Sequence, residues 1–339
     1  MHNFKKALIA SCSFLLCFAL MFSVVVFPAF ANDSLYNDSS KRQELAGEID
    51  FLFSGASHAL GGFIPEIIDS KLGCYSYNLS SYACSFEGRL WLLEKELKRN
   101  PVSTYVLEIS HDTIRDYSND RSTGEPMTIL KLDSFSERLE YMSKYVPLTD
   151  FDKVSSVILR YGLNAWKAKI FGQTNIPQSN KGYIPNPCID MGTTSNSIAK
   201  QLNTRELEAD FNQETLAKIE ALLALCNEYN CEVIVVMVPV SDQLIMEISN
   251  CDEFYSALSD YCETQNLELY DFNLLKNRSD LFSDTSSFYD SSHIAHEGAV
   301  PFSEAFADVM LMRSAGEDTA SMFYSSYAEL KSHIVSRYQ

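Results

Sequence analysis

Residues 49–60 read IDFLFSGASHAL: the strand formers Ile49, Phe51, Leu52 and Phe53 run into the small pair Gly55-Ala56, and then comes Ser57. Aromatic and β-branched side chains favour an extended, half-buried backbone, and two small residues permit a sharp bend after it. Such a bend lifts the Ser57 hydroxyl above the end of a sheet. An aliphatic alcohol is a weak nucleophile near neutral pH, so the chemistry requires a base elsewhere in the chain. One lies far downstream, in Asp290-Ser291-Ser292-His293. There His293 is placed to take the proton of Ser57, and Asp290 to orient the imidazole and stabilise its cation. The spacing lets a single turn present both. Taken alone, Ser57 also suits the N-cap of a helix.

The rhythm around this stretch is that of strands alternating with helices. After Ser57, helical character over 60–72 is interrupted near Gly61-Gly62 and Pro65; 74–80 reads as a short second strand; 86–97 is amphipathic, with Leu90, Leu93 and Leu97 on one face. The runs 104–109 (TYVLEI) and 232–240 (EVIVVMVPV) are continuously apolar strands, and 267–271 is a further one. Helical spacing precedes and follows them over 214–229, 241–264 and 297–312. Continuously apolar strands separated by helices predict a parallel sheet covered on both faces, an α/β doubly wound domain with its chemistry at the carboxyl ends of the strands. Residues 119–202 break the rhythm. They carry helical patterns near 135–145 and 153–171 and then a loop rich in Pro, Asn and Gly, so they are read as a mainly helical insertion over the sheet edge, covering or shaping the site.

The two blocks, Gly55-Ala56-Ser57-His58 and Asp290-Ser291-Ser292-His293 with Gly298-Ala299 soon after, resemble those of the SGNH/GDSL hydrolase superfamily. With an N-terminal apolar segment and the extension IAHEGAVPFSEAFA, the chain looks most like its membrane-anchored cell-envelope branch, related to the D-alanyl transfer protein of teichoic acid synthesis. The resemblance implies a flavodoxin-like, SGNH-type fold with catalytic Ser57, Asp290 and His293. It also implies an exported esterase or O-acyltransferase acting on acyl esters of an envelope glycan or polymer. The oxyanion donors it implies are the N–H of Ser57 and a backbone N–H from a second block, here 78–83, which ends in Ala83 where the family has glycine. That N–H is available if the loop does not need a positive φ. The family's third block supplies an asparagine; this chain reads Glu108-Ile-Ser110-His111-Asp112, so His111 or Asp112 takes its place. An ionised Asp112 repels a developing oxyanion and equally suits a helix cap, which opens an alternative: a catalytically silent SGNH-fold partner of a membrane acyltransferase. An α/β-hydrolase, the third reading, requires a different acid or base and a different sheet order. His58, Tyr82, Tyr183 and His296 are read as packing or loop residues.

Composition sets the boundaries of these readings. With 339 residues and 46% hydrophobic content, one large domain with an insertion is the natural division, over 45–339. A net charge of −18 excludes sustained contact with nucleic acid. Lys5 and Lys6 precede an uncharged run over 7–27 and then Pro28-Ala29-Phe30-Ala31, so residues 1–31 read as a membrane anchor or as a signal peptide cleaved after Ala31. Either places the remainder outside the cytoplasm. Residues 32–44 read as a polar tether. Nine cysteines include local candidate pairs 74 with 84, 226 with 231 and 251 with 262, and none has zinc spacing. No phosphate-cradling glycine motif is present, so neither cofactor nor metal is expected.

Overall fold

The computed structural model describes residues 2–21, 47, 49–111, 121–171, 180–190, 202–207 and 211–338. Helix α1 is His2–Met21, and among the described residues no helix is long and apolar enough to cross a membrane. The tether at 32–44 and the proposed cleavage site lie outside the described residues. The domain then runs β1 (Ile49–Ser54), α2 (Ser57–Gly62), α3 (Pro65–Leu72), β2 (Ser76–Asn78), α4 (Phe86–Leu97) and β3 (Val102–Glu108). It continues through α5 (Arg121–Lys131), α6 (Phe135–Tyr145), α7 (Phe151–Phe171) and α8 (Gln213–Glu228). It ends with β4 (Glu232–Met237), α9 (Asp242–Glu247), α10 (Cys251–Thr264), β5 (Glu268–Asp271), α11 (Arg278–Leu281), α12 (His296–Ser314) and α13 (Tyr327–Tyr338).

All five strands are parallel, in the order β2-β1-β3-β4-β5. The order reverses at β1, between β2 on one side and β3 on the other, and in open α/β sheets ligands bind at such a reversal. In register, Phe53 of β1 lies beside Asn78 of β2 and Val106 of β3, so the three strands end together. Alternation along the strands divides the interior into two layers. Leu52, Tyr77, Tyr105, Leu107 and Val235 face α4, α8 and α10; Phe53, Val106, Ile234 and Val236 face α2, α3 and α12. The second layer is knit by phenylalanines: Phe53 stacks on Phe63 at 4.3 Å, and Phe306 meets both rings edge-on at 5.5 and 5.4 Å. Burying one such ring contributes about 1.5–3 kcal/mol, so this layer holds the turn after β1 firmly against α12.

The helices of the central region do not lie apart from this core. Met127, Ile129 and Leu130 of α5, Tyr141 and Met142 of α6, and Val154 and Ile158 of α7 are buried in the same layer as β3 and α4. Residues 180–190 then cross the mouth of the sheet as a strap. The Asn78 N–H donates to the Lys181 carbonyl, the Ile184 N–H to Leu60, the His296 N–H to Asn186 and the Ile189 N–H to Phe288. Gly182 is needed here: at φ 85° it passes so close to the Asn78 carbonyl that a Cβ would come within 1.8 Å of the oxygen.

Every cysteine is a free thiol. Cys251 and Cys262 sit roughly three turns apart on α10, and Cys74 and Cys84 flank opposite ends of β2, so neither pair is within reach of a disulfide. Of the three pairs, Cys226 and Cys231 are the neighbours, the Cys231 N–H donating to the Cys226 carbonyl at 2.9 Å where α8 turns into β4.

Candidate active site

β1 stops at Ser54 because Gly55 must pass against β3: a Cβ there would lie 2.5 Å from Glu108 Oε2 and 2.6 Å from Ala59 Cβ. Ala56 occupies the N-cap position with no side-chain cap, and Ser57 is the first helical residue. Its hydroxyl is therefore not spent on capping. It lies half-buried, 2.7 Å from His293 Nε2.

His293 is presented by a closed loop before α12. The Tyr289 N–H donates to the His293 carbonyl at 2.8 Å, and the Ala295 N–H to Ser287 at 2.9 Å. The loop is fastened to the end of β4 by Ser241, whose N–H and hydroxyl both donate to the Ser291 carbonyl, at 3.1 and 2.9 Å. Just upstream, Asp284 accepts from the N–H groups of Asp242 and Gln243 at 2.9 and 3.1 Å. Within the loop, both carboxylate oxygens of Asp290 stand 2.9 Å from His293 Nδ1. Oδ1 also accepts the N–H groups of Ser292 and His293, at 2.9 and 2.7 Å. An ionised carboxylate only accepts, so Nδ1 carries the proton and Nε2 is left as the acceptor for the Ser57 hydroxyl. Burial pushes the Asp290 carboxyl up, but His293 and the two N–H groups outweigh it and hold the acid well below the usual carboxylate range. Ser57, His293 and Asp290 thus form one continuous relay.

The second block, 78–83, follows β2 alongside β1, with the Leu79 N–H donating to Phe53 and the Ser81 N–H to Gly55. It delivers Ala83 to the same rim, with φ at 46°. The loop does take the positive φ that put its N–H in question, but alanine adopts that conformation here, so the backbone donor is retained at a cost in strain. The carbonyl of Ala83 packs on Gly124 of α5, where a Cβ would come within 2.1 Å of the oxygen. His111 is buried just past β3, its ring 6.0 Å from that of His58, so it stands in the histidine cluster beside the Ser57 turn. Asp112 lies outside the described residues. The Tyr183 hydroxyl meets His296 Nδ1 at 2.9 Å, which holds both in the strap and its anchor rather than at the nucleophile. Among the described residues no cluster of three or more His, Cys, Asp or Glu is placed to hold a metal.

Three supports escaped the sequence reading. Arg89 and Glu108, 1% and 0% exposed, form a buried joint behind the turn that carries Ser57. Glu108 Oε2 accepts the Ala56 N–H at 3.1 Å, while Arg89 donates to the carbonyls of Glu108 and Cys84 at 2.7 and 3.4 Å. Burial pushes the Glu108 carboxyl up, and Arg89 and the Ala56 N–H pull against it. The signal was present: Arg89 shares the buried face of α4 with Phe86 and Leu93, and Glu108 ends an apolar strand, each a charge where an apolar residue belongs. Asn78, fully buried, donates from Nδ2 to the carbonyls of Ala59 and Phe63 at 2.8 and 3.1 Å and staples α2 to β2. His58, dismissed as a loop residue, lies parallel to His293 with ring centroids 4.7 Å apart and planes 15° apart.

Tyrosines gather near the second block: burial, with Tyr161 and Tyr289 close by, pushes the Tyr82 phenol up. Compared with known proteins, the chain matches no family model and no curated sequence.

Proposed function

We propose that this chain is an exported, membrane-tethered SGNH-type serine esterase or O-acyltransferase acting on acyl esters of an envelope glycan or polymer. The observation that carries the chemistry is the relay itself, Ser57 Oγ 2.7 Å from His293 Nε2 and His293 Nδ1 2.9 Å from both Asp290 oxygens. These are working distances for general-base activation of an alcohol. In the reaction Ser57 Oγ attacks the acyl carbonyl as its proton passes to Nε2, and Asp290 stabilises the imidazolium. The N–H groups of Ser57 and Ala83 are the donors for the tetrahedral oxyanion. Nε2 returns the proton to the leaving alcohol, an acyl-Ser57 ester remains, and water or an acceptor hydroxyl releases the acyl group by the same steps in reverse order. Export and tethering are proposed from Lys5, Lys6 and the uncharged run after them, and the envelope substrate from the family resemblance.

The test is covalent labelling by a serine-directed fluorophosphonate together with turnover of a simple aryl acetate. Wild type is expected to label once, at Ser57. Ser57→Ala is expected to lose labelling and at least about 10³-fold in turnover. Equal labelling of the Ala variant removes Ser57 as nucleophile. A folded wild type that neither labels nor turns over ester moves the chain to the silent-partner role beside a membrane acyltransferase.

A further inference from the structure

We propose that His58 is the positioning residue for the His293 imidazole, fixing the plane of the ring that the relay alone holds only weakly; this rests on reading Ser57 as the nucleophile and His293 as its base. The contacts of His293 to Ser57 and Asp290 lie at opposite ends of its ring. The Cβ–Cγ bond and these two contacts place the imidazole, but hydrogen bonds resist a small swivel out of the ring plane only weakly. A swivel carries the in-plane lone pair of Nε2 off Ser57 Oγ and off the leaving-group oxygen that must later receive the proton. A flat partner parallel to the ring at 4.7 Å, tilted by only 15°, removes that freedom. When His293 takes the proton, the imidazolium also lies against the face of a neighbouring π system, where a cation is stabilised.

His58 is built to be this plate. It follows Ser57 in the first turn of α2, so nucleophile and plate move as one body. It is 4% exposed, its Nδ1 lies 3.4 Å from Ser110 Oγ past the end of β3, and the His111 ring meets it at 66°. Its ring lies on that of His293, so it acts through His293. A residue that only filled space here would be replaceable by any side chain of similar volume; the parallel geometry calls for a ring.

Two substitutions separate the ring from the hydrogen bond. His58→Phe keeps a flat face and loses the Ser110 partner; His58→Asn keeps a polar atom where Nδ1 stood and loses the face. Two readouts are taken, kcat and KM on the aryl acetate, and the mobility of the His293 ring by 13C relaxation in the free protein. His58→Phe is expected to leave the ring rigid and kcat within about threefold of wild type. His58→Asn is expected to loosen the ring and lower kcat at least about tenfold with KM little changed, since misplacing a catalytic group by about an ångström costs up to about a hundredfold. A rigid His293 in folded His58→Asn overturns the proposal, as does a ring loosened equally by both substitutions. A wild type inert towards ester in which only His58→Asn frees the ring sustains the positioning role and overturns the hydrolase reading instead.

Discussion

Ala83 stands at φ 46°, where the Cβ of an L-residue crowds its own backbone at a cost of about 1–2 kcal/mol. Its carbonyl lies against Gly124, so α5 braces the turn from behind. Ala83→Gly removes the crowding, worth about 1–2 kcal/mol, and adds freedom to the unfolded chain, which opposes it by about 1 kcal/mol or less. The expected result is urea stability within about 1 kcal/mol of wild type with ester turnover kept. Ala83→Val places a β-branched side chain in the same region and is expected to lose about 2 kcal/mol or more, with a fall in kcat. Equal stability of the two variants would show that the turn is not held. Asp290 gives the pH dependence. A carboxyl whose folded pKa is depressed contributes stability above its unfolded value, about 4, and loses it as pH falls through the folded value. Wild type is therefore expected to exceed Asp290→Asn in stability at pH 6, and the two curves to meet only below about pH 4 in acid titrations followed by circular dichroism.

At the scale of elements, the Arg89–Glu108 joint fastens α4, β3, the second block and the nucleophile turn to one another. Removing one partner of a buried pair strands the other charge and costs about 3–5 kcal/mol, whereas removing both costs less. Arg89→Met is expected to lower urea stability by about that amount and to reduce kcat, since the turns bearing Ser57 and Ala83 both lean on the joint. The double variant Arg89→Met/Glu108→Gln is expected to recover part of the stability. Strict additivity of the single variants in a double-mutant cycle would show that the joint does not couple these elements.

For the whole molecule, the sheet was legible because four of its five strands declare themselves: 104–109 and 232–240 are near-continuous apolar runs buried over most of their length, and 49–53 and 267–271 are shorter runs of strand formers whose last residues are buried. β2 is shorter than its reading, Ser76–Asn78 within 74–80, since its neighbours turn away to the strap and the second block. One helix expected over 241–264 is two, broken at 248–250 where the Ser249 N–H donates to Arg205 instead of continuing the spiral. The helix Arg121–Lys131 was missed because Pro126 interrupts its pattern, and Tyr327–Tyr338 because its buried residues, Tyr327, Leu330 and Ile334, are sparse. Of the relay, residue types and order were readable, and so was the turn that joins acid to base. The stacking of His58 and the conformation of Ala83 depend on segments distant in the chain, and no local pattern encodes them; Arg89 and Glu108 each stood out as a charge at an apolar position, but their pairing did not.

Ser57 and His293 meet across 236 positions of sequence. A polypeptide made amino end first therefore presents its alcohol long before its imidazole, and on the proposed reading a chain that stops short of residues 287–295 lacks the base. On the proposed reading the relay is complete only when residues 287–295 are seated against Ser241, so loosening that one attachment would silence Ser57 without touching it.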